Sequence, residues 1–502
     1  MKVLILAEPQ HLEKILMSVS SLGVAFFGEP PEIDIHPVNN EEYFTVISDV
    51  SDIEELTEYS RENKSLESTK LFIYFHGAFL DAKNEELFKN LETSLKQAKN
   101  WNVLKEVNEL KIKLNILFQK TVLNSYPNFL QLELTDVCNA ECIMCSHLYQ
   151  KNIDVGFLND EGLDAVEPVL PYVRVAILHG NGEPFLHPGL IDILEKYSGY
   201  NIYVSTSTNL SVFNERIAGY VNKCFSDIRV SCDGCTKEIY EQIRRNLSFN
   251  NLTSNMEMLR TSCPDIKKML MVVIMRQNIH QLDGFIEFAE KYGFSQVVFS
   301  NMMTSIALGN KEDDPLLFKS IVKGKLMRAV ELGKELGVSV IYPDCFDDET
   351  EQSDEYIEPV FRSNEEIEKQ RKSIMDTYHL KRAPLEKMEN CNWSVDSISC
   401  DGICDWCMER AYIDLQGNMF VCCINNRYVL GNIIESGFES VWNGSQMQEI
   451  RRSFFEGKLP DFCEGCHFIL NKTLPHLRWV DKNNRFFDRR SISEVYWEHN
   501  EK

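Results

Sequence analysis

The stretch from Gln131 to Cys145 reads QLELTDVCNAECIMC and joins a short alternating run to three closely spaced cysteines. Alternation of apolar and polar residues predicts a half-buried strand that ends just before the first thiol. The cysteines then occupy the loop that leaves this strand, where a β/α barrel can wrap a ligand at its carboxyl rim. The stretch therefore predicts a binding loop at the edge of a parallel sheet.

Composition argues against disulfide bonds for the sixteen cysteines of this 502-residue chain. With 44% hydrophobic and 25% charged residues, the chain can bury large cores without covalent staples. The first residues, MKVLILAEPQ, hold only a short apolar run before Glu8, and no stretch of about 18 uncharged apolar residues follows. We therefore expect a cytoplasmic protein without a membrane span, in which clustered cysteines bind metals or act in catalysis.

The net charge narrows the choice of partners. Acidic residues outnumber basic ones by 76 to 52, which gives a formal charge of -24. A charge of this sign repels a polyanion at long range and argues against a general nucleic-acid binder.

Beyond residue 128, β-type runs alternate with helical stretches, which is the pattern of a parallel α/β sheet that curls into an open or closed barrel. The predicted strands cover residues 130–135, 173–178, 202–208, 227–233, 269–275, 296–302 and 338–342. The predicted helices cover residues 189–198, 237–245, 282–293 and 315–336.

The rest of the chain divides around this core. Residues 1–125 read as a small α/β unit for substrate or partner recognition, with strands at 2–7, 43–48 and 70–75 and helices at 11–22 and 84–97. The core covers residues 126–345, an acidic linker 346–390, a cysteine-rich module 391–470 and an amphipathic tail 471–502. Eight of the sixteen cysteines lie in the cysteine-rich module, which predicts a second metal site.

Three cysteines in one loop suit an iron–sulfur cluster. Soft thiolates select iron–sulfur clusters or zinc, and a structural zinc site needs four ligands. Three thiolates bind three irons of a cubane and leave the fourth iron open. Because three thiolates leave one iron without a protein ligand, we expect the cluster at this loop to take part in a reaction.

The spacing of Cys138, Cys142 and Cys145 in ELTDVCNAECIMCSH resembles the radical S-adenosylmethionine (SAM) enzymes, in which SAM chelates the open iron. The segment GNGEP, from Gly180 to Pro184, resembles the family's glycine-glycine-glutamate-proline motif, with Asn181 as a departure. The resemblance implies a partial (β/α)6 TIM-like barrel. It also implies that SAM contacts Gly180, Asn181, Gly182 and Glu183. Glycines there leave room for the methionine end of SAM.

A later segment, IRVSCDG, resembles the family's fourth strand. Alternation places Arg229, Ser231 and Asp233 on one face of that strand, toward the barrel interior. The resemblance implies that Ser231 and Asp233 contact the ribose or carboxylate of SAM, with Arg244 as a further candidate for the carboxylate. Asn209, at the end of another strand, is either a SAM contact or a residue that caps the strand.

The cysteine-rich module contains a predicted hairpin, in which YIDL and MFVCC flank the turn QGN. With Gly417 five positions before Cys422, this module resembles the SPASM/twitch auxiliary-cluster domain. The implied ligands of an auxiliary 4Fe–4S cluster are Cys404, Cys422, Cys463 and Cys466, and Cys407 is the rival to Cys404. A structural zinc site is the alternative, and further cysteines leave a second auxiliary cluster open.

The resemblance implies an enzyme that reductively cleaves SAM to a 5′-deoxyadenosyl radical, which abstracts hydrogen from a substrate in oxidoreductase-type chemistry. A peptide or protein side chain is the leading substrate, and a sugar-like small molecule is the alternative. A non-catalytic metal-binding scaffold is the alternative from another class. A flavodoxin or ferredoxin would supply the electron. No individual catalytic residue is identified by the sequence.

Overall fold

The computed structural model describes residues 2–6, 32–34, 45–49, 70–75, 78–145, 156–302, 311–346, 351–369, 372, 386–387, 402–423, 428–458, 460, 463 and 477–479. Within these ranges the strands are β1 Lys2–Leu6, β2 Glu32–Asp34, β3 Thr45–Asp49, β4 Lys70–Phe75, β5 Ala78–Asp81, β6 Phe129–Leu132, β7 Glu141–Cys142, β8 Val175–Ile177, β9 Tyr203–Thr208, β10 Phe225–Ser231, β11 Arg244–Arg245, β12 Lys267–Ile274, β13 Gln296–Asn301, β14 Ser339–Ile341, β15 Glu386–Lys387, β16 Gly402–Cys404, β17 Arg410–Ile413, β18 Asn418–Phe420, β19 Tyr428–Asn432 and β20 Leu477–Trp479.

The α-helices of the same ranges are α1 Glu85–Gln97, α2 Trp101–Leu117, α3 Asp160–Val166, α4 Leu190–Gly199, α5 Glu215–Cys224, α6 Lys237–Ile243, α7 Phe249–Ser262, α8 Gly284–Lys291, α9 Lys319–Leu336, α10 Asp405–Met408, α11 Ile433–Ser436, α12 Phe438–Trp442 and α13 Ser445–Phe455. Among the described residues, no helix is both long enough and apolar enough to cross a membrane.

The central sheet confirms the predicted α/β architecture. Seven strands run in the order β14, β13, β12, β10, β9, β8, β6, and each neighbouring pair is parallel. Each of the seven predicted strands of the core has a counterpart among them. Their carboxyl ends therefore lie along one rim, where the loops with the predicted site residues emerge.

Strand β10 shows the predicted alternation. Ile228, Val230 and Cys232 are fully buried in the main hydrophobic core. Arg229 and Ser231, on the opposite face, are only half-buried. The apolar face therefore packs against the helices, and the polar face remains toward the open side of the sheet.

The cysteine-rich module extends the central sheet. Strand β17 pairs in parallel with β6, and β18 and β19 continue the sheet in antiparallel pairing. The predicted hairpin is confirmed, with Ile413 opposite Met419. Gly417 closes its turn with a φ of 81°, a conformation that glycine adopts without strain. The module thus continues the sheet of the core.

The amino-terminal strands form a separate five-stranded sheet in the order β2, β1, β3, β4, β5. The predicted strands at 2–7, 43–48 and 70–75 and the helix at 84–97 are present, whereas the predicted helix at 11–22 lies outside the described residues. Helix α2 connects this unit to the core, because its Val107 packs with Ile73 of β4 while its Ile112 belongs to the main core. The domain limit at residue 125 stays a prediction.

Candidate functional site

The cysteine loop follows β6 and is fixed by a short antiparallel ladder. Strand β7 pairs with β11, so that Cys142 lies opposite Arg244. The N–H of Ile143 also donates to the carbonyl of Ile243 at the end of α6, at 3.0 Å. The backbone between the first and third cysteines is therefore held in place by the segment that follows α6.

The three thiols of this loop differ in exposure. Cys142 is buried, whereas Cys138 and Cys145 are half-buried. Burial raises the pKa of Cys138 to about 11 and that of Cys142 to about 12. The thiols interact electrostatically with one another, because the charge of Cys145 contributes to the pKa of both others. Metal binding at this loop would therefore release protons.

The donor chemistry fits a cluster bound by thiolates, although the side chains are not drawn together. Among the described residues, no three cysteine, histidine, aspartate or glutamate side chains converge on a point that could hold a metal ion. None of the three loop cysteines is in a disulfide bond, and all three follow β6 at the carboxyl rim of the sheet. Thiols that are not consumed by disulfides in a short loop are the donors that an iron–sulfur cluster requires.

Arg244 lies between a carboxylate and the buried thiol. Its Nε is 2.8 Å from Oδ2 of Asp233, and both side chains are almost completely buried. Its Nη1 donates to the sulfur of Cys142 at 3.7 Å. The negative charge of Asp233 is the main factor that raises the pKa of Arg244 above its ordinary value, despite burial. The guanidinium therefore remains charged beside the cysteine loop.

Asp233 is also tied to the neighbouring strand. Its Oδ1 accepts a hydrogen bond from the N–H of Val273 at 2.7 Å, and its backbone carbonyl accepts from Nδ2 of Asn278 at 3.1 Å. Burial raises the pKa of Asp233, while Arg244 and the N–H of Val273 oppose that rise. The structure thus gives both carboxylate oxygens of this predicted SAM contact a protein partner.

The glycine-rich turn packs directly on the cysteine loop. The N–H of Gly182 donates to the carbonyl of Thr135 at 3.1 Å, and that of Glu183 donates to the carbonyl of Val137 at 2.9 Å. A Cβ at residue 182 would lie 2.4 Å from the oxygen of Thr135. Only glycine permits this approach, so the motif has a packing role besides the predicted space for SAM.

Glu133, which the sequence did not single out, supports the first half of the same turn. This buried carboxylate accepts a hydrogen bond from the N–H of Asn181 at 2.7 Å. A Cβ at Gly180 would lie 2.3 Å from its Oε1. Gly180 and Asn181 are themselves exposed at the rim. A charged residue in the alternating run that continues past the end of β6 was the available signal, because buried charges need partners.

Glu183 connects the turn to the end of β9. Its Oε1 accepts from Oγ1 of Thr208 at 2.6 Å, and its Oε2 accepts from the N–H of Asn209 at 2.7 Å. Burial raises the pKa of Glu183, and these hydrogen bonds oppose the rise. Nδ2 of Asn209 in turn donates to Oδ1 of Asn139 in the cysteine loop at 3.0 Å. These two predicted SAM contacts therefore form a network that holds three strand-end loops together.

The predicted auxiliary cysteines lie partly within the described residues. Cys404, Cys422 and Cys423 pack around one aromatic cluster formed by Trp406, Tyr412 and Phe420. Three of the predicted ligands are half-buried: Cys404, Cys422 and Cys463. The fourth, Cys466, lies outside the described residues. The structure therefore brings Cys404 and Cys422 to the same side of the hairpin and adds Cys423, which was not predicted.

Cys407 has a different environment. It is fully buried in the main core, and its thiol donates to the carbonyl of Cys404 at 2.9 Å. Its own carbonyl accepts from Nε of Arg451 at 2.8 Å. A cysteine that is buried and held in this way is less accessible to a cluster than the half-buried Cys404.

Two family models match the chain at these sites. A model of the radical SAM superfamily matches residues 132–289, and a model of the SPASM iron–sulfur cluster-binding domain matches residues 404–467. The first range includes the cysteine loop and the glycine-rich turn, and the second includes the aromatic cluster with its cysteines. The chain therefore contains a radical SAM domain and a C-terminal SPASM domain. These domains imply a 4Fe–4S cluster with SAM and auxiliary iron–sulfur binding.

Individual relatives cover part of the chain. The mycofactocin maturase MftC of Mycobacterium ulcerans is 30% identical over 171 residues, 33% of this chain and 45% of the relative. The AdoMet-dependent heme synthase of Methanosarcina barkeri is 22% identical over 170 residues, 33% of this chain and 48% of the relative. The chain thus matches about half the length of these curated relatives. Streptococcus suis SuiB bound to S-adenosylmethionine aligns with a TM-score of 0.47 and 12% identity, over 73% of this chain and 80% of that chain.

Proposed function

We propose that this chain is an enzyme that cleaves SAM reductively and uses the resulting radical to modify a side chain of a peptide or protein. The observation that carries the proposal is the cysteine loop, held between the Arg244 ladder and the glycine-rich turn inside the radical SAM domain. These contacts fix the loop at the rim where the parallel strands end. A rigid frame around reactive groups favours orientation of the reactants.

In this proposal Cys138, Cys142 and Cys145 hold the first 4Fe–4S cluster. When bound, the reduced cluster and SAM supply one-electron chemistry that yields methionine and a 5′-deoxyadenosyl radical. The contribution of the chain is electrostatic and positional. Arg244 lies 3.7 Å from the sulfur of Cys142 and favours its thiolate form.

The exposed backbone of Gly180 and Asn181, followed by Gly182, is the proposed surface for SAM, together with the half-buried Ser231. The side chains of the other predicted contacts, Glu183, Asn209, Asp233 and Arg244, already have protein partners. We assign to this second set the positioning of the strand ends that meet SAM. Their hydrogen bonds cross from loop to loop, which is the arrangement that holds a binding site in one geometry.

For the auxiliary cluster we propose Cys404, Cys422, Cys463 and Cys466 as ligands. The half-buried state of Cys404 and the core position of Cys407 favour Cys404 in the first place. The family model describes this domain as one that binds an iron–sulfur cluster, which favours that group over zinc. Its role would be to accept or supply an electron, or to brace the substrate pocket.

A flavodoxin or ferredoxin is the proposed reductant of the first cluster. The proposed location is the cytoplasm, because it is a reducing compartment.

The substrate class rests on the relatives. A relative named a maturase favours a peptide or protein substrate for this chain. A relative named a heme synthase favours a small molecule as the second candidate. The two relatives cover similar fractions of this chain, and the maturase has the higher identity. We therefore place the peptide substrate first and the small molecule second.

The test is anaerobic reconstitution with iron and sulfide, followed by reduction in the presence of SAM. We expect release of 5′-deoxyadenosine, measured by chromatography, and its loss in the Cys142→Ala variant together with about four irons per chain. Cys345→Ala is the matched control, because Cys345 is an exposed cysteine outside both ligand sets. A wild-type protein that binds iron but releases no 5′-deoxyadenosine would instead favour the non-catalytic scaffold.

A further inference from the structure

A polar cavity of about 230 Å³ lies behind the cysteine loop. Three parts of the chain form most of its walls: the cysteine loop at Ile143, the segment around Arg245 and Asn246, and residues 361–367 of the acidic linker. Gln277, which follows β12, completes the wall. We call this space the linker cavity. Its volume would hold about seven water molecules or one polar side chain.

Arg245 faces the linker cavity because of strand alternation. Arg244 and Arg245 are the two residues of β11, and successive residues of a strand point to opposite faces. Arg244 contacts Asp233 and Cys142, whereas Arg245 lines the cavity. A ligand in the cavity would therefore lie on the opposite side of the ladder from the predicted SAM site.

Two residues that line the cavity, Arg245 and Gln277, each have a buried side-chain atom without a hydrogen-bond partner among the described residues. Nη1 of Arg245 is a buried donor with no acceptor, and Oε1 of Gln277 is a buried acceptor with no donor. The amide of Gln277 is oriented by its Nε2, which donates to Oδ1 of Asp313 and to the carbonyl of Val360. Its oxygen is thus fixed as an acceptor. Such atoms are costly to bury unless a ligand or water pairs with them.

The surrounding charges disfavour an anionic ligand. Nη2 of Arg245 is 3.9 Å from Oε2 of Glu141, and Arg362 pairs with Glu312 and lies 3.5 Å from Asp313. Glu241 adds another carboxylate to the lining. Arg276 also acts on Glu312 and Asp313, so four acidic groups face three arginines. A neutral ligand that accepts from Arg245 and donates to Gln277 fits better than a carboxylate, which only accepts.

We propose that the linker cavity binds an amide group of the peptide substrate, with the amide oxygen at Arg245 and the amide N–H at Gln277. The inference rests on the proposed function and names a substrate contact for it. Peptide bonds and the side chains of asparagine and glutamine all offer this pair of groups. Residues 361–367 form a wall of the cavity, which gives part of the acidic linker a place in substrate binding.

The test uses the reconstituted full-length protein and three neutral-backbone probes: N-acetylglutamine methylamide, N-acetylalanine methylamide and N-acetylglutamate methylamide. Dissociation constants come from titrations followed by saturation-transfer NMR. We expect the glutamine compound to bind, and to bind at least about tenfold more weakly to Arg245→Met, since a hydrogen bond from a charged donor is lost. Arg260→Met is the matched control, because Arg260 is an exposed arginine that pairs only with Glu257 among the described residues.

The other probes separate the outcomes. Equal binding of the alanine compound would assign the subsite to a backbone amide, and weaker binding would assign it to a side-chain carboxamide. Tighter binding of the glutamate compound, or unchanged binding to Arg245→Met, would overturn the proposal. Asn364→Trp offers a second variant, because Asn364 is exposed at the cavity and a bulky side chain there should block the probes without removing a buried group.

The results distinguish an error in the cavity assignment from an error in the proposed function. If 5′-deoxyadenosine is released but no probe binds the wild-type protein, only the assignment of the linker cavity is wrong. If the probes bind but SAM is not cleaved, the cavity binds amides and the enzymatic proposal is wrong.

Discussion

Two buried arginines, one in the radical SAM domain and one in the SPASM domain, have different kinds of hydrogen-bonding partner. Arg244 in the radical SAM domain faces the carboxylate of Asp233. Arg451 in the SPASM domain is bonded to the backbone carbonyls of Cys407, Thr121 and Trp442. The anionic partner holds the pKa of Arg244 above its ordinary value, whereas burial lowers that of Arg451 to about 10.

This difference reflects what each arginine does. Arg244 lies beside a predicted cluster ligand, where a compensated charge can favour a thiolate without repelling the metal. Arg451 joins segments that are distant in the chain: the connection before β6, the short helix α10 and the end of α12. Its guanidinium also lies 4.8 Å from the ring centroid of Trp442. Arg244 thus acts through its charge on the cysteine loop, whereas Arg451 holds distant segments of the chain together.

The largest effect is expected from Arg451→Met. The substitution leaves two buried carbonyls and one partly buried carbonyl without their donor, and each unpaired buried group costs about 1 to 3 kcal/mol. We expect the free energy of unfolding, measured by chemical denaturation, to fall by about 4 kcal/mol. Arg452→Met is the control, because Arg452 is exposed and pairs with Glu449. A similar change for both variants would show that Arg451 does not hold these three segments together.

The second expected effect concerns the pair of Arg244 and Asp233. Asp233→Leu should lower the free energy of unfolding by about 3 kcal/mol, since it leaves a buried guanidinium without its counterion. The double variant Asp233→Leu with Arg244→Met should recover at least about 1 kcal/mol of that loss. An additive double variant would mean that the carboxylate does not compensate Arg244. Denaturation of the wild-type protein, Asp233→Leu, Arg244→Met and the double variant under the same conditions provides the comparison.

Gly182→Ala tests the contact between the glycine-rich turn and the cysteine loop. The new Cβ would lie 2.4 Å from the backbone oxygen of Thr135, so one of the two loops must move. Overpacking of this kind costs about 2 kcal/mol, and we expect a fall in thermal midpoint with weaker iron retention. The control is Gly219→Ala in α5, where no atom lies within 4 Å of the new Cβ. That substitution should leave stability unchanged or raise it by about 0.5 kcal/mol.

The smallest effect is a pH dependence from His187, a buried base whose ring contacts the carbonyl of Leu158 and the N–H of Gly189. Burial lowers the pKa of His187 below its usual range, although the carbonyl of Leu158 opposes the change. The folded protein then binds fewer protons than the unfolded chain. Stability should be complete above about pH 6.5 and fall by at most about 1.4 kcal/mol per pH unit below it.

His187→Gln provides the comparison for this pH series. The variant should show a smaller loss of free energy of unfolding between pH 6.5 and pH 5 than the wild-type protein, with denaturation followed by circular dichroism. An identical pH dependence in both proteins would assign the loss of stability to other groups.

Much of the fold followed from local patterns. The seven core strands, the hairpin at Ile413 and Met419 and the alternation of β10 were all predicted, because the periodicity of side-chain burial is written directly in the sequence. The identity of the radical SAM and SPASM domains followed from cysteine spacing and short motifs. Such motifs are local, since a cluster or a turn constrains residues a few positions apart.

The candidate site was predictable only in part. Glu183 and Asn209 belong to the predicted set, yet their partners Thr208 and Asn139 carried no signal of their own. Arg451 was missed because its three carbonyl partners lie far apart in the sequence. The individual SAM contacts and the auxiliary ligands stay predictions.

The sequence by itself determined the parallel sheet, the cysteine loop and the two domain types, because each depends on residues that are neighbours along the chain. Only the tertiary structure decided which buried charges are paired, why Gly182 must be glycine, and that β17 extends the core sheet through β6. It also brought Arg245, Gln277 and the acidic linker around one cavity. These features depend on contacts between distant segments, and the pairing of a buried charge is fixed by whichever group the fold places beside it.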